Sequence, residues 1–404
     1  MPMIPRHRRI VAEQHPPTHH PEHPNTAHEH EHALYEPAEF LDAPASEAIP
    51  EREVNLARRF LNVRTIGSIV FGVALLVLLF VFVLGVDWGR TWSQIAHANL
   101  GLLVLALVMY YLTFPLRGFR WAFILRRTGT PIGFVPATEI LFLSWFVNCL
   151  VPAKLGDLYR AYLLKGNYGA SASRTVGTVF IERIADIIVI FGLALAAGYW
   201  SFRGRQRPEV DALFIAGFVV ALALIIFVLA LRFAGGHLTR ILPARVADLY
   251  ERFHEGSTGA LTSSSVPVIV VVTGAIWLLE GLRLYFVIGA LNLPDAHLGI
   301  SATVFVALAA ALLTAIPLTP AGVGFVEAGI VGALLIYGVP HNAAVAVALT
   351  DRAISIMTVI VLGGILYAFS GMVRRAHGAG SASRRRRGAP KPVASAPSGK
   401  IGQP

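Results

Sequence analysis

The sequence predicts an all-α fold: a polytopic helical membrane protein of two inverted repeats, each with a re-entrant or broken helical hairpin. Three observations lead there. The chain is poor in charge and its apolar residues come in long blocks, it resembles itself at a spacing near 168 residues, and its lysines and arginines are unevenly spread about the blocks.

The first observation is compositional. Of 404 residues 55% are hydrophobic and 14% charged, with a mean hydropathy of +0.62. A soluble globular chain would carry about 25% charged residues, and a helix needs about 20 apolar residues in a row to cross the hydrocarbon core. Apolar segments lie at 66–86, 99–116, 133–151, 176–200, 211–231, 266–291, 299–318, 325–338 and 343–370. Several are too short, or too interrupted by Pro and Gly, to be plain spans. The formal net charge of +10 sits largely in the tails and in loops beside apolar helices. There, basic residues set topology and meet anionic head groups, so no nucleic-acid partner is expected.

Three regions follow. Residues 1–58 are expected to form a disordered, His/Pro-rich cytoplasmic tail, residues 59–372 the membrane domain, and residues 373–404 a disordered basic tail. Within the membrane domain, repeat one covers about 99–200 and repeat two about 266–370. The basic tail carries Arg384 to Arg387, which would face an anionic cytoplasmic leaflet. The first tail holds His7, His15, His19, His20, His23, His28, His30 and His32. A solvated low-complexity arm explains these better than a metal site, so no metal and no cofactor is expected. The first apolar run begins only near Ile66 and has no small-residue cleavage site, so no signal peptide is expected. The single cysteine, Cys149, cannot form an internal disulfide and reads as a space-filler in an apolar stretch.

The repeat is carried by matched motifs. Gly118-Phe119-Arg120-Trp121 corresponds to Gly281-Leu282-Arg283-Leu284, and Pro152-Ala153-Lys154-Leu155-Gly156-Asp157 to Pro320-Ala321-Gly322-Val323-Gly324-Phe325. Glu182-Arg183 corresponds to Asp351-Arg352. Each unit therefore reads as helix, apolar run, Pro/Gly break, short helix, and a helix with an acid–Arg pair. A break inside an apolar region frees backbone groups that lipid cannot satisfy, so protein or a watery cavity must cover it. Paired breaks in two halves point to a transporter-like binding site.

Counting basic residues chooses between topologies. If every apolar run spans, seven lie inside and nine outside, against the positive-inside rule. If the run before each break turns back, loops 117–131, 165–175 and 232–265 put ten inside against four outside. This arrangement inverts one repeat relative to the other. It predicts a multi-pass protein of the cell membrane with both termini cytoplasmic.

Ionisable groups in the membrane are costly unless paired or wet. The candidate binding residues are Arg120, Lys154, Asp157, Arg160, Glu182, Arg183, Asp186, Glu280, Arg283, Glu327, Asp351 and Arg352; Glu139 is another intramembrane acid. Glu182 and Asp186 share a helix face while Arg183 points elsewhere, and Glu280 and Arg283 can pair along one helix. Either these are internal ion pairs that lock the bundle, or they line a polar cavity between the repeats; their clustering at the breaks favours the cavity. The glycines Gly156, Gly322 and Gly324 suit either of two roles: backbone amides approaching an anion, or tight turning and close helix packing. Lys154, Arg160 and Arg183 would complete a phosphate site.

At these residues the sequence resembles the lysylphosphatidylglycerol synthase transmembrane family, the flippase-like domain proteins. Arg117 through Trp121 is similar to the family's Arg/Trp helix end. Asn148 through Arg160 is similar to its Asn…Pro-x-Arg/Lys-x-Gly-Glu…Arg motif, with Asp157 where Glu is usual. Glu182, Arg183 and Asp186 are similar to its Glu-Arg-x-x-Asp element, and Pro317 to Glu327 to its Pro-x-x-Pro-x-Gly-x-Gly-x-x-Glu element. The resemblance covers about 100 to 370. No globular synthase domain follows Tyr367, so aminoacyl transfer is not implied. The resemblance implies binding or movement of an anionic phospholipid, a glycolipid or a polyprenyl-phosphate-linked saccharide.

The expected function is thus a lipid translocator. The rivals are a non-catalytic partner that presents lipid to a membrane-bound synthase or glycosyltransferase, and a secondary transporter of a small soluble anion. No metal-ligand spacing, nucleophile elbow or Asp-rich phosphate motif appears in the membrane region, so no enzyme is expected.

Overall fold

The computed structural model describes residues 87–151, 153–203, 215, 217–227, 229–230, 243–259, 261–293, 298–313 and 319–377. The apolar segment at 66–86, the His-rich tail, the Arg384–Arg387 run, Pro152 and Pro317 lie outside them. All regular structure among the described residues is helical, as expected. The helices are α1 Trp88–Ala96, α2 Leu100–Arg127, α3 Phe134–Leu150, α4 Leu155–Tyr168 and α5 Ala172–Ser201. Then come α6 Gly217–Phe227, α7 Ala244–Thr258, α8 Ser265–Leu291 and α9 Ile300–Leu313. After a 3-10 turn at Pro320–Gly322 follow α10 Phe325–Ile336, α11 His341–Arg352, a π-helical turn at Ala353–Met357, and α12 Thr358–Phe369.

Three stretches combine the length and apolar composition to cross a membrane: Leu100–Arg127, Ser265–Leu291 and His341–Phe369. The helices α3 and α9, before the breaks, have 17 and 14 residues. At about 1.5 Å per residue the described part of α9 falls short of the hydrocarbon thickness, and α3 is marginal. Helix ends are set locally. The Asn99 side chain accepts from the Leu102 N–H to start α2, and Ser171 accepts from the Arg174 N–H to start α5. Gly169 and Asn292 close α4 and α8 in the left-handed conformation.

The helical chain runs on through 371–377, where Val373 and Ala376 are buried. Ala376 lies close enough to Gly166 that a Cβ there would collide with it. The expected boundary at 372 therefore falls inside a packed helix.

The two repeats are laid out alike: α2 matches α8, α3 matches α9, α4 matches α10, and α5 matches α11 with the π turn and α12. In each, the helix before the break and the helix after it pack as a hairpin. Gly156 lies against the Ser144 carbonyl and Asn148 of α3, and Gly329 against Ala310 and Leu313 of α9. The break is built the same way twice. Ala153 and Lys154 have φ of 62° and 51°, and their counterparts Ala321 and Gly322 have 48° and 71°. Two successive left-handed residues reverse the chain at each site. Three of those four are not glycine, and such residues adopt this region at a cost of order 1–3 kcal/mol each.

The matched helices α2 and α8 pack along their length in antiparallel fashion. The Asn99 N–H donates to the Ala290 carbonyl at 2.7 Å, Arg117 meets Glu280, Arg120 meets Thr273, and Ile124 packs on Ile269. Rising numbers on one helix thus meet falling numbers on the other.

Candidate functional site

Between the two breaks lies a cavity of about 140 Å³. Repeat one contributes Tyr110, Trp145, Asn148, Cys149, Lys154 and Arg183 to its wall. Repeat two contributes Trp277, Glu280, Arg283, Ala321, Gly322, Asp351 and Arg352 among others. The twelve predicted residues thus divide into two sets. Lys154, Arg183, Glu280, Arg283, Asp351 and Arg352 line the cavity. Arg120, Asp157, Arg160, Glu182, Asp186 and Glu327 do not; they form the ion-pair framework that holds it.

In repeat one the framework is dense. Arg120 Nε and Nη2 donate to Glu182 Oε1 at 3.2 and 2.8 Å, and Nη1 donates to Asp186 Oδ1 at 2.6 Å. Arg160 Nη1 donates to the other Glu182 oxygen at 2.5 Å, and its guanidinium lies 4.9 Å from the Trp121 ring centre. Glu182 and Asp186 share a face, as expected of an i, i+4 pair on a helix. Arg183, one residue on, instead donates to both Asp157 oxygens at 3.1 and 2.8 Å and presents its flank to the cavity. The Asp157 carboxylate thereby ties the first turn of α4 to α5.

Repeat two repeats the plan with fewer partners. Arg283, counterpart of Arg120, lies 3.2 Å from Asp351, counterpart of Glu182. It also pairs with Glu280 at 3.2 Å, the contact expected from their spacing of three. Arg352, counterpart of Arg183, donates to Glu327 Oε1 at 2.9 Å and to the Ala321 carbonyl at 2.6 Å. It thus fastens the second break as Arg183 fastens the first. Glu327 also accepts from the Gly324 N–H at 2.7 Å, capping α10.

One residue was passed over by sequence reasoning. Arg117 is 2% exposed, donates to Glu280 Oε1 at 3.0 Å, and lies 4.7 and 5.3 Å from the Trp145 and Trp277 ring centres. Arg117 and Glu280 are 163 residues apart, the same spacing that relates Arg120 to Arg283. Each occupies the other's position in its repeat. The relation extends outward: Arg120 donates to Thr273 at 2.6 Å, and the equivalent Arg283 lies 5.2 Å from the ring of Tyr110, the residue equivalent to Thr273. Contacts of i with j′ and of i′ with j, with one position meeting its own counterpart, are the signature of a two-fold interface. Arg117 and Glu280 stand at the centre of these reciprocal contacts.

One expectation is corrected, and the choice left open for the glycines narrows to close packing. Arg117 and Arg120 are not loop residues counted at the membrane edge; α2 runs on to Arg127 and buries both in the bundle. They pair with acids from α5 and α8, which offsets their desolvation, and the inside count falls by two without losing its majority. The glycine amides are not held out to a ligand either. The Gly156 N–H donates to Asn148 Oδ1 at 2.8 Å, the Gly322 N–H to the Thr319 carbonyl and the Gly324 N–H to Glu327. Arg160 likewise turns to Glu182 rather than joining Lys154 at the cavity. Glu139 accepts from the Ser370 hydroxyl at 2.6 Å, away from the breaks.

Among the residues that line the cavity, cations outnumber acids: Lys154, Arg183, Arg283 and Arg352 against Glu280 and Asp351. The Lys154 ammonium has no ion pair or hydrogen bond among the described residues, and Nε and Nη1 of buried Arg283 have no hydrogen-bond partner there. An unpaired ammonium and a guanidinium on the wall of one cavity, with Trp145, Trp277 and Tyr110, suit a singly charged anion on an apolar body.

Fold and composition define a polytopic α-helical membrane protein. The chain matches the lysylphosphatidylglycerol synthase TM region family over residues 66–363 and belongs to that family. It is similar to a UPF0104 membrane protein of Methanocaldococcus jannaschii, 35% identical over 222 residues, which cover 55% of this chain and 93% of the relative. A UPF0104 membrane protein of Methanothermobacter thermautotrophicus is 27% identical over 295 residues, covering 68% and 85%. Glycosyltransferase AglD of Haloferax volcanii is 35% identical over 130 residues, covering 31% of this chain and 20% of that protein.

Proposed function

We propose that this protein is a non-enzymatic translocator of an anionic lipid: a phospholipid, a glycolipid or a polyprenyl-phosphate-linked saccharide. The head group would bind between the two breaks while the acyl or prenyl chains stay in the bilayer. The observation that carries this reading is the unpaired Lys154 ammonium in a cavity bounded by both breaks. A partly buried cation without a partner gives up some of its hydration, a cost that an arriving anion would recover.

The antiparallel run of α2 against α8 supports an inverted arrangement in the membrane. A two-fold axis normal to two spanning helices lies in the membrane plane, which is the symmetry of inverted-repeat transporters. In that reading the hairpins α3–α4 and α9–α10 enter from opposite faces, and rocking of one repeat on the other about the Arg117–Glu280 contact gives alternating access. The protein would lie in the cell membrane with both termini cytoplasmic. The test is flipping of fluorescent phosphatidylglycerol in liposomes made with the purified protein. Acceleration that weakens in Lys154→Ala supports the reading. No acceleration with phosphatidylglycerol, a glycolipid or a polyprenyl phosphate defeats it, and uptake of a soluble phosphate without lipid movement would assign a different cargo.

A second reading rests on the similarity to glycosyltransferase AglD. Here the membrane domain presents lipid to a membrane-bound glycosyltransferase or synthase and does not itself flip it. Co-purification of such an enzyme, with no flipping by the protein alone, would favour it.

A further inference from the structure

The two repeats place an acid at the same point but solvate it differently. Glu182 accepts three hydrogen bonds, two from Arg120 and one from Arg160. Its counterpart Asp351 is 1% exposed, and neither of its oxygens accepts a hydrogen bond among the described residues. Its one cation within 4 Å there is Arg283 Nη2, at 3.2 Å. The cause lies in the sequence: α4 supplies Arg160, whereas α10, in the matching place, carries no basic residue and only one acid, Glu327. Asp351 also differs from Glu182 in bordering the cavity.

We propose that Asp351 is a proton-binding site that couples proton movement to passage of the anion. The proposal rests on the head-group reading above. Arg283 divides its charge between Glu280 and Asp351, its Nε and Nη1 are buried without a hydrogen-bond partner among the described residues, and the residue lines the cavity. An anion that engages Arg283 draws it from Asp351, which has no second donor to replace it. A buried carboxylate so stranded is far more costly than its protonated form. Asp351 therefore takes a proton from the water-facing side as the anion binds, and returns it when the anion leaves and Arg283 swings back. A monoanion and a proton then cross together with no net charge. The groups facing Asp351 fit this. Arg283 and Glu280 come from α8, Glu327 from α10, and Arg352 from its own helix, where it is already held by Glu327 and the Ala321 carbonyl. Helix α2 brings Tyr110, against Arg283; α9 brings no charged group; α1 reaches the far end of α11, where its Arg90 pairs with Asp87.

The test uses the full chain in detergent, in weakly buffered solution with a pH dye, titrated with dihexanoyl phosphatidylglycerol while calorimetry follows binding. We expect uptake of about one proton per lipid bound, the proton that Asp351 takes when Arg283 leaves it and its buried carboxylate is stranded. A protonated-carboxyl C=O band should appear in the wild-type infrared difference spectrum on binding. Both signals should vanish in Asp351→Asn and return in Asp351→Glu. Lipid binding to wild type without proton uptake overturns the coupling and leaves the head-group reading intact. Uptake that persists in Asp351→Asn overturns the assignment to Asp351. Absence of lipid binding defeats the head-group reading and this proposal with it. If dimethyl phosphate alone binds with the same uptake, the coupled anion is a free phosphate diester and Asp351 keeps its role.

Discussion

Arg117 and Glu280 are each other's counterparts in the duplicated sequence, and they meet at 3.0 Å. Where equivalent positions of two similar segments meet, identical charges would repel. Here one copy holds the cation and the other the acid. The pair is buried, and Trp145 and Trp277 cover the guanidinium.

Arg117→Ala should therefore strand Glu280 beside Arg283 alone and destabilise the protein by about 3–5 kcal/mol, the range for breaking a buried pair. Thermal unfolding in detergent checks this. Exchanging the two residues, Arg117→Glu with Glu280→Arg, should recover part of the loss, because the positions are equivalent. A double variant no more stable than the singles would contradict the axis.

Framework and cavity residues should separate in their effects. Arg160→Ala leaves one Glu182 oxygen without its donor and should lower the melting temperature, with a loss of about 1–3 kcal/mol or more. Lys154→Ala removes a cation that nothing pairs, so its melting temperature should be unchanged or higher while lipid flipping falls. Equal destabilisation by both would contradict the division into two sets.

Gly156→Ala would place a methyl against the Asn148 side chain and the Ser144 carbonyl, and the carbonyl is backbone that cannot swing aside. Overpacking of this kind costs about 1–3 kcal/mol. Gly338→Ala, where nothing lies within 4 Å, should suffer only the strain of its positive φ. Unfolding midpoints of the two variants should differ in that order.

The antiparallel packing of α2 and α8 places Thr128 at the Gly259 end, near the start of α8, and Asn99 at the Ala290 end. In a Cys149→Ser background, Ser263→Cys should label from the cytoplasmic side and His97→Cys from the outside. Both positions are exposed. Labelling of both from one side would contradict the proposed inversion.

The sequence disclosed the helical class, the two breaks and the acid–arginine pairs, because each is a local pattern: apolar length, Pro/Gly punctuation, and charge where lipid forbids it. Six of its twelve candidates stand at the cavity. The other six pair with one another or with residues such as Arg183 and Arg352 at its wall, a choice made by partners far along the chain, as when Arg160 turns to Glu182 instead of the break. Arg117 was missed because it precedes a motif read as the end of a helix, and it was counted as an edge charge. One signal could have found it: Glu280 lies at the same spacing from Arg117 as Arg283 from Arg120. The two roles of the glycines were not separable by sequence, since a glycine needed for close packing and one needed near an anion look alike until the N–H partners are known.

The claim that an anionic head group occupies the space between the two breaks is tested most directly by photo-crosslinking. Phosphatidylglycerol carrying a photoactivatable group on its head would be irradiated with the protein in liposomes and the labelled peptides mapped by mass spectrometry. The account predicts labels around Trp145–Lys154 and Thr319–Ile330, lost in Lys154→Ala. Labels confined to outward faces such as Val104, Leu112 and Ile365, and unaffected by Lys154→Ala, would contradict it.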